Sequence, residues 1–358
     1  MSSNGKTVGL AHADVTRGFY RVAIVGAASL KGKEVAEMLE QRNFPSTEVK
    51  LLDDDETLGQ LEALRDEITF IQGIRAEQFE GMDFTFFASD ADSTLKNWKQ
   101  ARDAGSAIVD LSYALGEEPG ASVRSPWLER ELGVISTPEL QPGPAVVAHP
   151  VAVILAMLLS RVQAAASIAY AAAVVYQPAS EYAQKGMDEL HQQTVNLLSF
   201  QPLPKKIFDV QVAFNMVSKF GEESTQSISA VSDRVTQHYR KITGNAKVPI
   251  PSILTVQAPV FHSHSIAVNL QFEDKTDVAQ ISAALGGEHV SVVPSSQEAP
   301  NNVNAAGQNE VLVSVTPDGF NPRSVWLWGA FDNLRIAAAS AVECAESMAA
   351  ARPRGQIQ

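Results

Sequence analysis

Gly26-Ala27-Ala28-Ser29-Leu30-Lys31-Gly32 follows a short apolar run and precedes a helical pattern. A glycine-bearing turn between strand and helix aims backbone N–H groups and a helix N-terminus at a phosphate. Only the outer glycines of a G-x-x-G-x-x-G are present, so the turn reads either as a dinucleotide turn or as a tight structural one. Further on, Asp53-Asp54-Asp55-Glu56 closes a second apolar run. An acid there can bond a nucleotide ribose and repels the 2′-phosphate of NADP; four acids together also read as a solvated loop. His262-Ser263-His264 would put both rings on one face of a strand. No third ligand is visible, so the pair reads as one structural or exposed histidine and one pocket histidine, with no metal. Cys344, the single cysteine, sits among apolar residues and reads as a small buried hydrophobe. One cysteine allows no internal disulfide and no cysteine-based metal site. There is no G-x-S-x-G elbow for a serine nucleophile.

The elements that must position these residues alternate at first between strand and helix. Arg21–Val25, Val49–Leu52, Phe84–Phe87, Ala107–Leu111 and Gly133–Ser136 read as strands, and Lys33–Gln41 as a helix. That alternation implies a parallel sheet covered on both faces, so residues 19–150 are expected to form a Rossmann-like NAD(P)-binding domain. The pattern then changes. Ala152–Ala164 and Glu181–Phe200 read as helices; Ser167–Tyr176, Ile253–Pro259, Ser265–Phe272 and Val311–Val315 read as strands. Residues 151–322 are expected to form an α+β domain. Gly286–Gln308 reads as a loop, and Ser324–Ala350 as a last helix with Trp326, Trp328, Leu334 and Val342 as core candidates. That helix, within 323–358, is expected to return to the first domain and complete it. Residues 1–18 read as a loose extension without a secretory signal.

The chain has 358 residues, 45% of them hydrophobic and 19% charged, with a net charge of −13. The length suits two domains. The acidic balance argues against nucleic acid, whose phosphates need a basic patch, and against an anionic membrane. The one local basic cluster is Arg352-Pro353-Arg354. The longest apolar run, Ala145–Leu159, is too short to span a bilayer. A cytoplasmic location fits a single unpaired cysteine.

Val22-Ala23-Ile24-Val25-Gly26-Ala27, followed by Glu40-Gln41-Arg42-Asn43-Phe44-Pro45, resembles the opening of aspartate-semialdehyde dehydrogenases. The resemblance continues at Asp110-Leu111-Ser112-Tyr113-Ala114, Tyr176-Gln177-Pro178-Ala179-Ser180, Lys185-Gly186-Met187-Asp188-Glu189-Leu190 and Ala258–Ser265. It ends at Asp332-Asn333-Leu334-Arg335 and covers about residues 20 to 350. It implies an α/β fold with an NADP-binding Rossmann domain, a second domain for catalysis and dimerisation, and a homodimer. The implied reaction belongs to amino-acid biosynthesis: reversible reductive dephosphorylation of β-aspartyl phosphate through a cysteine thioester.

Carried over residue by residue, the resemblance implies losses. The nucleophilic cysteine falls on Ala152 and its orienting glutamine on Ala156. The substrate-binding arginine falls on Gln257, a phosphate-gripping arginine on Gly116, and the arginine for the 2′-phosphate on Glu56. A Ser-Gly-Ala-Gly loop becomes Ser180-Glu181-Tyr182-Ala183, which brings bulk and negative charge toward any small anionic ligand. The base position is kept as His264, and a basic residue as Arg234. Gly26, Ala27, Ser29, Leu30, Gly32, Asp332 and Asn333 remain as cofactor-side positions, for NADP or NAD if either binds. The chain thus resembles a divergent, Usg-type paralogue that keeps the fold without the parental activity. An oxidoreductase of altered chemistry and a retained semialdehyde dehydrogenase are the alternatives.

Overall fold

The computed structural model describes residues 19–54, 61–64, 67–134 and 143–351. The first half supplies β1 (Tyr20–Val25), α1 (Leu30–Gln41), β2 (Ser46–Asp53), β3 (Leu61–Leu64), β4 (Glu67–Phe70) and β5 (Gln72–Gly73). It continues with β6 (Phe84–Phe87), α2 (Ala91–Asp103), β7 (Ala107–Asp110), β8 (Ser122–Arg124), α3 (Pro126–Glu131) and β9 (Ala145–Val147). Seven of these strands form one sheet in the order β5-β2-β1-β6-β7-β9-β8, every neighbouring pair parallel. β3 and β4 form a separate antiparallel pair. Strands such as Phe84–Phe87 are buried at every position, as a sheet with helices on both faces requires.

The second half supplies α4 (Pro150–Ala165), β10 (Ile168–Gln177), α5 (Ala183–Leu198), α6 (Ile228–Thr243), β11 (Ser252–Gln257) and β12 (His264–Phe272). It ends with α7 (Val278–Leu285), β13 (Val290–Val292), α8 (Asn302–Ala305), β14 (Val311–Pro317), β15 (Ser324–Phe331) and α9 (Asn333–Ala351). Its mixed sheet runs β11-β10-β12-β15-β14-β13. α4 is apolar on all sides and buried from Pro150 to Ser160, the pattern of a central core helix. It packs against α3, α6, α7, α9 and β10. α9 packs back on α1. Its alanines let the two helices approach, and buried Arg335 reaches Glu34 at 3.1 Å and Glu37 at 3.0 Å.

Three sequence expectations need correction. Ser324–Phe331 is a strand, so the returning helix starts at Asn333. The segment alternates large and β-branched residues and pairs with β12 on one side and β14 on the other. Trp326 and Trp328 therefore lie on the sheet's outer face rather than in the core, Trp326 at 43% exposure. Gly133 is not in a strand: with φ +67° it ends α3, its N–H donating to Arg130 O and that of Val134 to Glu129 O. The rest of that expected strand, Ile135 and Ser136, lies outside the described residues; the sheet is extended by β8 and β9. Gly286–Gln308 is not all loop, since it holds β13 and the Asn301-capped α8. Residues 1–18, Glu56 and Arg352-Pro353-Arg354 also lie outside the described residues.

Candidate active site

α4 begins where the two sheets meet. Pro150 opens it, and His149 caps it by accepting the Val151 N–H at Nδ1, 3.2 Å away. That fixes the tautomer: the proton is on Nε2, which donates to Glu181 Oε1 at 3.0 Å. The other carboxylate oxygen lies 3.8 Å from His264 Nε2. The His149 backbone N–H donates to His238 Nδ1 at 2.9 Å. His149 and His264 are fully buried, and the Glu181 side chain is 8% exposed. His264 stacks on Phe331 at 5.3 Å with 4° between the planes, and neither of its ring nitrogens has a hydrogen-bond partner.

Tyr113 stands beside this group, its ring 5.7 Å from His149 and 5.4 Å from His238. Lys31 Nζ lies 4.5 Å from the Tyr113 ring centre and the Arg234 guanidinium 4.9 Å from it. Lys31 also donates to Leu111 O at 2.8 Å, crossing from the first turn of α1 to the end of β7. Burial pushes the Glu181 carboxyl up, but His149, His264 and the Lys31 charge outweigh it and hold it lowered to about 2. Burial lowers His264 to about 3 against the partial opposition of Glu181, and burial likewise lowers His238 to about 3. Burial also lowers Lys31 and raises Tyr113. At neutral pH the centre therefore holds the Glu181 carboxylate together with the neutral His238 and His264 imidazoles.

The position expected for the nucleophile, Ala152, is fully buried in the first turn of α4, three residues after His149. Ala156 lies one turn further and is also buried. Gln257 is fully buried; it accepts from Gln177 Nε2 at 3.1 Å and donates to Ala258 O at 2.8 Å. Gly116 offers only its carbonyl, which Lys241 Nζ meets at 3.1 Å. Cys344 lies eleven residues along α9 from Asn333, about 16 Å at the helical rise. It is fully buried, and burial pushes its thiol up to about 12. His262 lies outside β12, and Ser263 between the two histidines takes φ +68°, which breaks the strand alternation the pair would need. Among the described residues no group of three His, Cys, Asp or Glu side chains could hold a metal ion.

On the cofactor side, Gly26 takes φ +81°, and a Cβ there would meet the Ser89 backbone at 2.5 Å. A Cβ on Gly32 would meet Gly26 O at 2.1 Å, so the turn is as tight as a phosphate-binding turn needs. Leu30 opens α1, and Ser29 caps it by accepting from Gly32 N while its hydroxyl donates to Ala88 O. The Ala27 N–H donates to Leu52 O at 3.2 Å, and the Ala28 N–H to Asp53 Oδ2 at 2.7 Å. The first acid of the Asp53–Glu56 run thus holds the turn. Asp332 caps α9, accepting from Leu334 N and Arg335 N, and also takes Gly307 N. Asn333 accepts from Ser180 Oγ at 3.3 Å, which links α9 to the Glu181 turn. Sequence reasoning missed His238. The signal was present: Arg234 and His238 are one turn apart on α6, hence on one face.

Two family models match the chain: the semialdehyde dehydrogenase NAD binding domain over residues 21–143, and the semialdehyde dehydrogenase dimerisation domain over residues 160–336. The chain belongs to the semialdehyde dehydrogenase family. It is 29% identical to a USG-1 protein homolog of Pseudomonas aeruginosa over 320 residues, 89% of this chain and 94% of the relative. It is 27% identical to the aspartate-semialdehyde dehydrogenase of Rickettsia conorii over 339 residues, 92% and 97% of the two chains. Among solved structures, a probable aspartate-semialdehyde dehydrogenase from Pseudomonas aeruginosa superposes with a TM-score of 0.80 at 28% identity, covering 92% of this chain and 98% of that one. Aspartate semialdehyde dehydrogenase II from Vibrio cholerae shares the fold with a TM-score of 0.81 at 22% identity, covering 93% and 99%. Among the described residues no helix is long and apolar enough to cross a membrane.

Proposed function

We propose that this chain keeps the aspartate-semialdehyde dehydrogenase fold and its assembled histidine site but does not carry out the family's thioester chemistry. One observation carries this reading. The nucleophile position is the methyl group of Ala152, packed out of solvent beside the His149–Glu181–His264 cluster. An acyl transfer through the enzyme needs a nucleophile with a base within reach. His264 is retained as a base position, yet the thiol it would serve is absent, and Cys344 belongs to a different wall of the fold. The buried amide Gln257 cannot supply the bidentate charge that an arginine gives a carboxylate. Steady-state assay with aspartate semialdehyde, phosphate and NADP tests the reading. No turnover above an enzyme-free blank is expected, and turnover overturns it.

The second reading is an oxidoreductase of altered chemistry, favoured by the intact geometry of the Gly26–Gly32 turn. Gly26, Ala27, Ser29, Leu30 and Gly32 would shape the turn that brings a dinucleotide to the N-terminus of α1, with Glu56, Asp332 and Asn333 as further cofactor-side positions. Glu56 favours NAD over NADP by repelling a 2′-phosphate. The matched NAD binding domain supports a nucleotide cofactor, and a structural neighbour from Candida albicans was solved with NADP. A bound nicotinamide would supply a hydride acceptor. Residues 19–150 with the returning α9, and residues 151–322, are proposed as the two functional domains. The second is proposed to form a homodimer, as the matched dimerisation domain suggests. A cytoplasmic location remains part of this proposal.

A further inference from the structure

We propose that Glu181 is a tethered anion: its carboxylate fills a seat that the surrounding side chains would otherwise present to a free small carboxylate. Two groups converge on it from separate elements. His149, at the start of α4, donates from Nε2 at 3.0 Å. His264, at the start of β12, brings Nε2 within 3.8 Å of the second oxygen. Lys31, from the first turn of α1, and Arg234 of α6 flank the neighbouring Tyr113 ring at 4.5 and 4.9 Å from its centre. Glu181 itself comes from the short turn Ala179–Tyr182, which ends on Ala183 at φ +56° and ψ −160°. That region is almost reserved for glycine, so the chain accepts backbone strain at the turn that delivers the carboxylate.

The seat is not a closed ion pair. His264 is fully buried with both ring nitrogens unpartnered, and Gln177 Oε1 and Ser263 Oγ are likewise buried without partners. Buried polar atoms are nearly always satisfied in folded proteins. Of these, His264 lies directly against the carboxylate, so the seat still holds unused hydrogen-bonding capacity on the side of its second oxygen. Lys31, Tyr113 and Arg234, all half-buried, are the cationic and aromatic side chains beside it. Removing the Glu181 side chain takes away two methylenes and a carboxylate. The free molecule of that shape is propionate.

The inference rests on the site geometry used for the proposed function, and its failure is separable from the failure of that reading. Wild-type turnover would overturn the earlier reading and leave this one standing. The experiment is chemical rescue of Glu181→Gly, with thermal unfolding and calorimetric titration against sodium propionate, sodium phosphate and sodium chloride at equal ionic strength. The expected result is a lowered midpoint for Glu181→Gly that propionate raises saturably. A ligand bound only by the folded state multiplies the folding constant about elevenfold at ten times its Kd. Wild type and Glu181→Gln, whose seats stay filled, should respond to propionate no more than to chloride. Propionate acting no better than chloride on Glu181→Gly, or equally on wild type, overturns the proposal. Rescue by phosphate instead of propionate overturns the carboxylate assignment. If Glu181→Gly does not fold in buffer, the refolding yield in propionate against chloride is the readout, and equal yields overturn it.

Discussion

His264 is kept at the position where the family resemblance places a base, but its surroundings set what it can do. It is sealed against Phe331, and burial holds it neutral far below the usual imidazole range. Such a group couples stability to acidity. The unfolded chain takes up a proton as pH falls through about 6.5, and the folded chain resists it down to about 3, so stability is complete above pH 6.5 and declines below it. Glu181 acts in the same direction over a lower window, from about 4.5 toward about 2, because its folded carboxyl is the one held down. His264→Gln should therefore flatten the stability profile between pH 6.5 and pH 5, by up to about 1.4 kcal/mol per pH unit. Denaturant midpoints across that range check this; an unchanged slope would mean that His264 is not buried neutral. Much of this centre was legible in the sequence. The motif at Ala258–Ser265 marked His264, and the lost glycine at Glu181 announced a new charge. What the sequence hid was convergence: His149, Glu181 and His238 come from three separate segments, and only the tertiary fold brings the Glu181 carboxylate to the His149 ring and the His238 ring to the His149 backbone N–H.

At the scale of elements, two turns decide how the site is framed. The Gly26–Gly32 turn was readable because strand, glycines and helix occur in the right order, and its geometry leaves no room for a Cβ at either glycine. Gly32→Ala should cost about 1–3 kcal/mol through forced displacement of α1 from the Gly26 carbonyl. It should also abolish any rise in unfolding midpoint that millimolar NAD produces in the wild type. A midpoint equal to wild type would show the turn to be slack. The segment Ser324–Phe331 was misread because its tryptophans and valine suit a buried helix as well as a strand. Cross-strand pairing with β12 and β14 decides between the two, and Asp332 then starts α9 by capping it. Local pattern carries no information about partners sixty residues away.

For the whole molecule, the six-stranded sheet packs one face on α4 and α7, while the other is covered only in part, by the segment around α8 where Trp328 Nε1 donates to Pro300 O. Strand β10 shows the division: Ala171, Ala173 and Val175 are buried, while Tyr170 on the opposite face is 47% exposed. Val174 shares that face, with Leu254 opposite it on β11 at 55% exposure and Trp326, two strands away on β15, at 43%. An apolar face of this kind marks an interface, and the matched dimerisation domain points to a second copy. Val174→Asp is expected to convert a dimer to a monomer in native mass spectrometry, with far-ultraviolet circular dichroism unchanged; a variant that stays dimeric would place the interface elsewhere. The central claim is that an intact family fold encloses a site without its nucleophile, and covalent chemistry is its most direct test. Incubation with aspartate semialdehyde and NADP, without phosphate, would trap an acyl-enzyme wherever a thiol can form one. Intact-protein mass spectrometry after an acid quench should return the unmodified mass. A stoichiometric acyl adduct on any residue of the chain would contradict the account.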